Sequence, residues 1–208
     1  MDRNNKVCPK CDYHFPISVQ ERIALLVGDA LIVLAFLMTF FSLPLLTFLP
    51  VIAKDVLQLG RDAYSTLLSV SGIGSVSGAL IVAGLSNVKH KGRVALIMLG
   101  TFGALTIAFS QSRDFWLSCV LLYLCGAAMV SVGALVMSLI QTITPDEMRG
   151  RVMSVYNVAF RGGMPFGNLV SGRLIETFYA PAVLAANGAV LIVLALYFFF
   201  VQRKIVRA

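Results

Sequence analysis

The sequence is poor in charged residues. Asp, Glu, Lys and Arg make up 13% of its 208 residues, whereas 58% are hydrophobic, and the mean hydropathy is +0.86. A soluble domain carries about 25% charged residues, so this composition excludes one. Carboxylates are scarcer still, because the long apolar segments contain only Glu176, which lies near the end of its segment. The sequence therefore offers no acidic side chain near the middle of a potential membrane span.

Long uncharged runs dominate the rest of the chain. A helix of about 20 apolar residues crosses a bilayer, and five runs reach that scale: 30–53, 63–86, 94–112, 115–144 and 180–201. A sixth segment, 152–178, is charged only at Arg161, Arg173 and Glu176. The pattern predicts an all-α membrane protein with six transmembrane helices over 30–203 and a short tail at 204–208. Pro44 and Pro50 should bend the first of these helices.

The N-terminal segment 1–29 lacks both the apolar core and the cleavage pattern of a signal peptide, so we expect it to be cytoplasmic. It contains Cys8 and Cys11 in a C-x2-C pair, but no second pair. His14 would be a third ligand only at an unusual spacing. A tetrahedral zinc site needs four ligands, so the predicted metal site is incomplete, and we expect no cofactor. Cys119 and Cys125 are predicted to be small buried residues.

The net charge of +7 is distributed unevenly. Lys54, Arg61 and Arg113 fall in predicted outer segments. The basic residues that fall in predicted inner segments are more numerous: Arg3, Lys6, Lys10, Arg22, Lys89, Lys91, Arg93, Arg149, Arg151, Arg203, Lys204 and Arg207. This bias predicts a multi-pass protein of a bacterial-type inner (plasma) membrane with both termini in the cytoplasm. The basic residues indicate topology and headgroup contacts, and no nucleic-acid partner is predicted.

A polar stripe marks the fifth predicted helix. Helical spacing aligns six of its positions on one face: Ser154, Asn157, Arg161, Met164, Asn168 and Ser171. If Val152 lies at the inner surface, Arg161 is about 13–14 Å deep, near the middle of the hydrocarbon layer. An Arg facing lipid there would cost about 2.5 to 3.5 kcal/mol, so this face should meet protein or water.

Three interpretations of Arg161 remain open. The first is that Arg161 attracts an anion in a substrate cavity. The second is that it pairs with a carboxylate or with backbone carbonyls of the other half of a larger protein. The third is relaxed selection in the remnant of such a protein. The candidate cavity residues are Arg161, Asn157, Asn168 and Ser154, together with Gln141 and Tyr123 on the fourth helix. For Gln141, helix packing was the favoured alternative.

Small residues predict close helix contacts. Gly74 and Gly78 form a small-xxx-small pattern on the second helix, on one face with Ser71 and Ser75. A role in lining a cavity is the alternative. Gly163 and Gly167 are the corresponding packing candidates on the fifth helix, where Gly162, Gly163 and Pro165 should also permit bending.

Four passages give the chain a family resemblance: 49–57, the Gly-rich 72–84, the basic loop 84–93 and, most specifically, 144–151. The loop motif in the last passage is Pro145, Asp146, Glu147, Arg149 and Gly150. Together they resemble the C-terminal six-helix half of a major facilitator superfamily transporter, nearest to the branch that includes enterobactin exporters. The resemblance implies twelve helices in two halves, with the first, second, fourth and fifth helices of each half lining the substrate interface.

A second resemblance covers residues 6–26. This string is similar to part of the zinc ribbon of the acetyl-CoA carboxylase carboxyltransferase beta subunit, in which Cys8 and Cys11 would be two of four zinc ligands. The first Cys pair and the carboxyltransferase body are absent, so the resemblance implies no enzymatic activity.

These observations predict transmembrane transport by half of a secondary-active efflux carrier for a small molecule, from a truncated or fused gene product. The expected partners are the lipid bilayer, the substrate and a separate N-terminal half or a second copy. The alternative is a membrane-tethered fragment of the carboxyltransferase zinc ribbon without catalytic activity. A third hypothesis is a structural membrane subunit that pairs with a separate N-terminal half.

Overall fold

The computed structural model describes residues 19–58, 61–84, 91–144, 146 and 148–201, with side chains from residue 28 to residue 200. In these ranges every regular element is an α-helix: α1 (Val19–Ser42), α2 (Pro44–Thr47), α3 (Leu49–Asp55), α4 (Arg61–Gly84), α5 (Lys91–Gln111), α6 (Phe115–Ile143), α7 (Arg149–Thr177) and α8 (Ala180–Val201). The all-α membrane fold expected from the hydrophobic runs is confirmed.

The first predicted helix is broken where its prolines lie. Helix α1 ends at Ser42, and α2 and α3 each carry a proline in their first turn, Pro44 and Pro50. Proline has no N–H to donate to the preceding turn, so each one ends the hydrogen-bond ladder before it. The predicted bend is therefore confirmed as two breaks.

The start of this helix differs from the prediction. Helix α1 begins at Val19, well before residue 30. The residues between are mostly good helix formers, such as Gln20, Glu21 and Leu25, and a helix does not have to stop where its apolar run stops. The hydrophobic pattern marks the part that fits a bilayer, not the end of the helix.

Among the described residues, five stretches are long and apolar enough to cross a membrane: Gly28–Asp55, Asp62–Gly84, Lys91–Gln111, Phe115–Ile143 and Ala180–Phe200. Helix α7 is not among them, although its 29 residues give it a length of about 43 Å. The polar residues of its stripe lower its hydropathy. Its span across the membrane therefore stays a prediction that rests on length and on its packing against α1.

The bundle is built mainly from pairs of helices, and α1 joins them through smaller contacts with α6 and α8. Helix α7 packs chiefly on α1, α4 packs chiefly on α6, and α5 lies between α6 and α8. The core consists of fully buried aliphatic and aromatic side chains from several helices, such as Leu34, Leu49, Phe102, Leu122 and Leu184. Within the described ranges, α4 and α7 each have one main neighbour, so each keeps a broad face that the described helices leave uncovered.

Close approach of α5 and α8 depends on a pair of glycines. A Cβ atom on Gly103 would lie 2.6 Å from the Gly188 carbonyl oxygen, and one on Gly188 would lie 2.7 Å from the Gly103 oxygen. Neither backbone can move away cheaply, so only glycine fits at this crossing.

Candidate functional site

Helix α7 has a packing face that is set by glycines. A Cβ atom on Gly163 would clash with Thr39 Oγ1 and would lie 2.6 Å from the Phe36 carbonyl oxygen, both on α1. A Cβ atom on Gly167 would lie 2.8 Å from the Phe40 Cα atom. These two residues therefore bring α7 directly against the α1 backbone and fix which way the rest of α7 points.

The polar stripe lies on the other side of α7. Arg161 is two residues from Gly163, which places it about 200° around the helix axis from the packing face. Ser154, Asn157 and Arg161 are exposed, and Met164 is 45% exposed. Within the residues that the structure describes, Arg161 makes no hydrogen bond or salt bridge. This part of the stripe forms one face that none of the described helices covers.

The stripe ends sooner than predicted. Asn168 is half-buried, and its Oδ1 atom is buried without a hydrogen-bond partner among the described residues. Ser171 does not belong to the open face, because it is 2% exposed and its hydroxyl accepts a hydrogen bond of 3.2 Å from Asn187 Nδ2 on α8. The helical repeat of 3.6 residues carries the sequence stripe around α7, so its last residue meets a neighbouring helix.

Tyr123 lies at the contact of α6 with α4. Its hydroxyl donates a hydrogen bond of 3.0 Å to Ser77 Oγ. A Cβ atom on Gly74 would clash with the Tyr123 carbonyl, and one on Gly78 would lie 2.7 Å from the Ala127 Cα atom. The predicted small-residue face of α4 therefore packs against the α6 backbone, and the Tyr123 hydroxyl is engaged there.

Gln141 is exposed in the last turn of α6, which ends at Ile143. Nothing in the described residues brings it to the open face of α7. Of the six predicted cavity residues, the structure places Ser154, Asn157 and Arg161 on one face of α7 with Asn168 at its edge, while Tyr123 and Gln141 lie on α6.

The loop motif is partly described. Arg149 and Asp146 form a salt bridge of 2.6 Å at the start of α7, with exposed side chains. Gly150 lies in the first turn, where its carbonyl oxygen accepts a hydrogen bond of 2.9 Å from Ser154 Oγ. Pro145 and Glu147 lie outside the described residues.

The described part of the chain contains no candidate metal site. No group of three His, Cys, Asp or Glu side chains is suited to hold a metal ion there. Cys119 and Cys125 are buried and unpaired with one another, in agreement with their predicted role as small core residues. Cys8, Cys11 and His14 lie outside the described residues, so the incomplete zinc site stays a prediction.

Asn187 is the polar residue that the sequence patterns missed. It is 6% exposed in the middle of an otherwise apolar helix, and it joins α8 to α7 through Ser171. A signal was present, because an Asn inside an apolar run has to find a partner in a membrane. Its partner became apparent only from the packing of the two helices.

Comparisons with known proteins agree with this architecture. A family model described as "Transmembrane secretion effector", of the major facilitator type, matches residues 25–207. The methyl viologen resistance protein SmvA of Salmonella typhimurium is 33% identical over 114 residues, which are 52% of this chain and 23% of SmvA. No solved structure matches.

A second relative has no assigned substrate in its name. The uncharacterised MFS-type transporter YfmI of Bacillus subtilis is 24% identical over 148 residues, which are 70% of this chain and 36% of YfmI. The chain thus matches between about a quarter and about a third of the length of these relatives. Because the family model covers most of the chain, this multi-pass membrane protein belongs to the transmembrane secretion effector family of major facilitator transporters.

Proposed function

We propose that these helices form one half of a secondary-active efflux carrier, and that the open polar face of α7 lines its substrate cavity. The observation that carries the proposal is the exposure of Arg161, Asn157 and Ser154 on the side of α7 that faces away from α1. Lipid is an unfavourable neighbour for such a face, so a water-filled cavity or a second half is its natural environment.

The charge of the site indicates the class of substrate. Arg161 lies near the midpoint of α7, and the structure describes no acidic side chain paired with it. A guanidinium attracts anions and repels cations. We therefore propose a small anionic substrate. The name of SmvA refers instead to methyl viologen, a cation.

A dye-efflux assay on a carrier assembled from two halves tests this proposal. In a chimera with the N-terminal half of a relative, Arg161→Leu should lower efflux of an anionic dye such as carboxyfluorescein at least tenfold, without loss of membrane insertion. The matched control is Arg173→Leu on the same helix. Arg173 lies off the polar stripe and contacts Glu176 at 3.5 Å, so its loss should leave efflux unchanged. Unchanged efflux together with raised stability in Arg161→Leu would show that Arg161 is no part of the cavity.

A structural role is the second candidate for Arg161. A carboxylate of the other half, from a separate chain or a second copy, would then pair with it. In that case Arg161→Leu weakens assembly of the two halves, whereas a cavity role leaves assembly intact and lowers transport. Co-purification of tagged halves from detergent separates the two outcomes.

We also propose that both termini lie in the cytoplasm of a bacterial-type inner membrane, as the distribution of basic residues favours. Single cysteines placed at His90 and Gln111 should be labelled from opposite sides, with Gln111 accessible from outside. Labelling of His90 from outside would reverse the topology.

The zinc-ribbon alternative receives its own test. The ribbon-like residues 6–26 lie almost entirely outside the segment that the family model matches. Two thiolates leave a zinc ion half-coordinated, so we propose that Cys8 and Cys11 hold no metal tightly and confer no enzymatic activity. Stoichiometric zinc that survives mild chelation, in a protein that is monomeric, would contradict this.

A further inference from the structure

An apolar groove runs along the outer side of the bundle between α5 and α8. Its volume is about 380 Å³, and its walls include Ile97, Gly100 and Ala104 of α5 and Ile192, Leu196 and Phe199 of α8. Gly100 forms part of its floor, where a Cβ atom would still lie 3.7 Å from Ala195 Cβ. A contact of 3.7 Å is an ordinary van der Waals distance, so the two helices are farther apart here than at the Gly103–Gly188 crossing.

The positively charged side chain of Arg93 lies at one end of this groove. Arg93 is on the same face of α5 as Ile97, Gly100 and Ala104, because these positions are four, three and four residues apart. Its guanidinium carbon lies 5.8 Å from the centre of the Phe199 ring, which lines the groove. Lys91, two residues earlier on the helix, is directed elsewhere, since its Nζ atom donates a hydrogen bond of 3.3 Å to Ser138 Oγ on α6.

The shape of the groove limits what it can hold. From Ile97 to Ala104 it extends about 10 Å along α5, which is comparable with the roughly 15 Å hydrocarbon depth of one leaflet. Its volume is that of a site for one small ligand or one acyl chain. Its walls carry no polar side chain that would orient a soluble ligand.

We propose that this groove binds one anionic phospholipid, with an acyl chain between α5 and α8 and the phosphate at Arg93. The apolar walls fit the chain, and the exposed guanidinium at the end complements the charge of the headgroup. The site is separate from the open face of α7 and does not depend on transport. It fixes α5 and α8 to the bilayer at the side of the bundle away from the substrate cavity.

Native mass spectrometry of the purified 208-residue chain in detergent tests the headgroup. Phosphatidylglycerol should bind as a single adduct more tightly than phosphatidylcholine with the same acyl chains. One Arg near an anionic surface contributes about 1 kcal/mol, so Arg93→Gln should weaken phosphatidylglycerol binding about fivefold. Arg113→Gln is the matched control, because Arg113 is exposed beyond the opposite end of α5. Equal effects of the two substitutions would overturn the proposal.

A second pair of variants tests the groove. Gly100→Leu should fill it and abolish the adduct, whereas Thr101→Leu, on an exposed position beside the groove, should not. If Gly100→Leu fails to fold, Ala104→Leu serves the same purpose on an exposed position. Retention of the adduct in the folded groove variant would refute an acyl chain at this site. Full competition by glycerol phosphate would also refute it, because the headgroup alone would then account for binding.

Discussion

Gly78→Ala should separate α4 from α6. The added Cβ would lie 2.7 Å from the Ala127 Cα atom and 2.8 Å from its carbonyl carbon, and both are backbone atoms that cannot rotate away. Overpacking of this kind costs about 1–3 kcal/mol. The shift would also weaken the 3.3 Å hydrogen bond from Ser131 Oγ to the Gly78 carbonyl, at about 0.6 kcal/mol.

Helix propensity acts in the opposite direction. Alanine is more favourable than glycine in a helix by about 1 kcal/mol, so the net loss in the free energy of unfolding should be about 0.6–2.6 kcal/mol. Gly72→Ala is the matched control on the same helix, because no atom lies within 4 Å of a Cβ placed there. We expect Gly72→Ala to be neutral or to stabilise the protein by up to about 1 kcal/mol.

Unfolding of the purified protein by SDS in mixed micelles, followed by circular dichroism, measures both variants. A lower unfolding midpoint for Gly78→Ala than for Gly72→Ala is the expected result. Equal midpoints, or a more stable Gly78→Ala, would refute the inference that the α4 and α6 backbones touch at this residue.

Three further substitutions test other contacts in the same assay. Tyr123→Phe removes one interhelical hydrogen bond and should cost about 0.6 kcal/mol, a loss that disappears when Ser77 is already Ala. Ser171→Ala leaves the buried Asn187 amide without its hydrogen-bond partner and should lower the free energy of unfolding by about 1–3 kcal/mol. A loss below about 0.5 kcal/mol, which is the size of a typical surface substitution, would mean that the amide finds another acceptor. Gly167→Ala should cost about 1–3 kcal/mol by forcing α7 away from α1, and an unchanged midpoint would argue against that contact.

The sequence was sufficient for the class of fold and for most helix positions. Uncharged runs of bilayer length, ended by charged loops, leave few structures other than membrane helices, because the backbone must satisfy its own hydrogen bonds in lipid. The prolines at 44 and 50 likewise predicted where the first helix breaks. The residue at which α1 begins could not be predicted this way, because Val19 lies in a stretch that is helical but not apolar.

The candidate site was only partly predictable. Helical periodicity placed Ser154, Asn157 and Arg161 on one face, and the structure agrees because short helical spacing is local. Over the full stripe the same argument failed, since the repeat of 3.6 residues turns Ser171 toward α8. The hydrogen bond of Tyr123 to Ser77 on α4 was beyond the reach of helical periodicity, because the two residues are 46 positions apart in sequence.

The amino-acid sequence alone therefore determined that this protein is a bundle of membrane helices with an unusual Arg in α7, because hydrophobicity and helical spacing are properties of single segments. Only the tertiary structure decided which polar residues meet one another and which stay open. Glycines at helix crossings set how closely each pair of helices packs and how each is rotated. That rotation places Arg161 on an uncovered face, and the packing of α5 beside α8 places Arg93 at the end of an apolar groove.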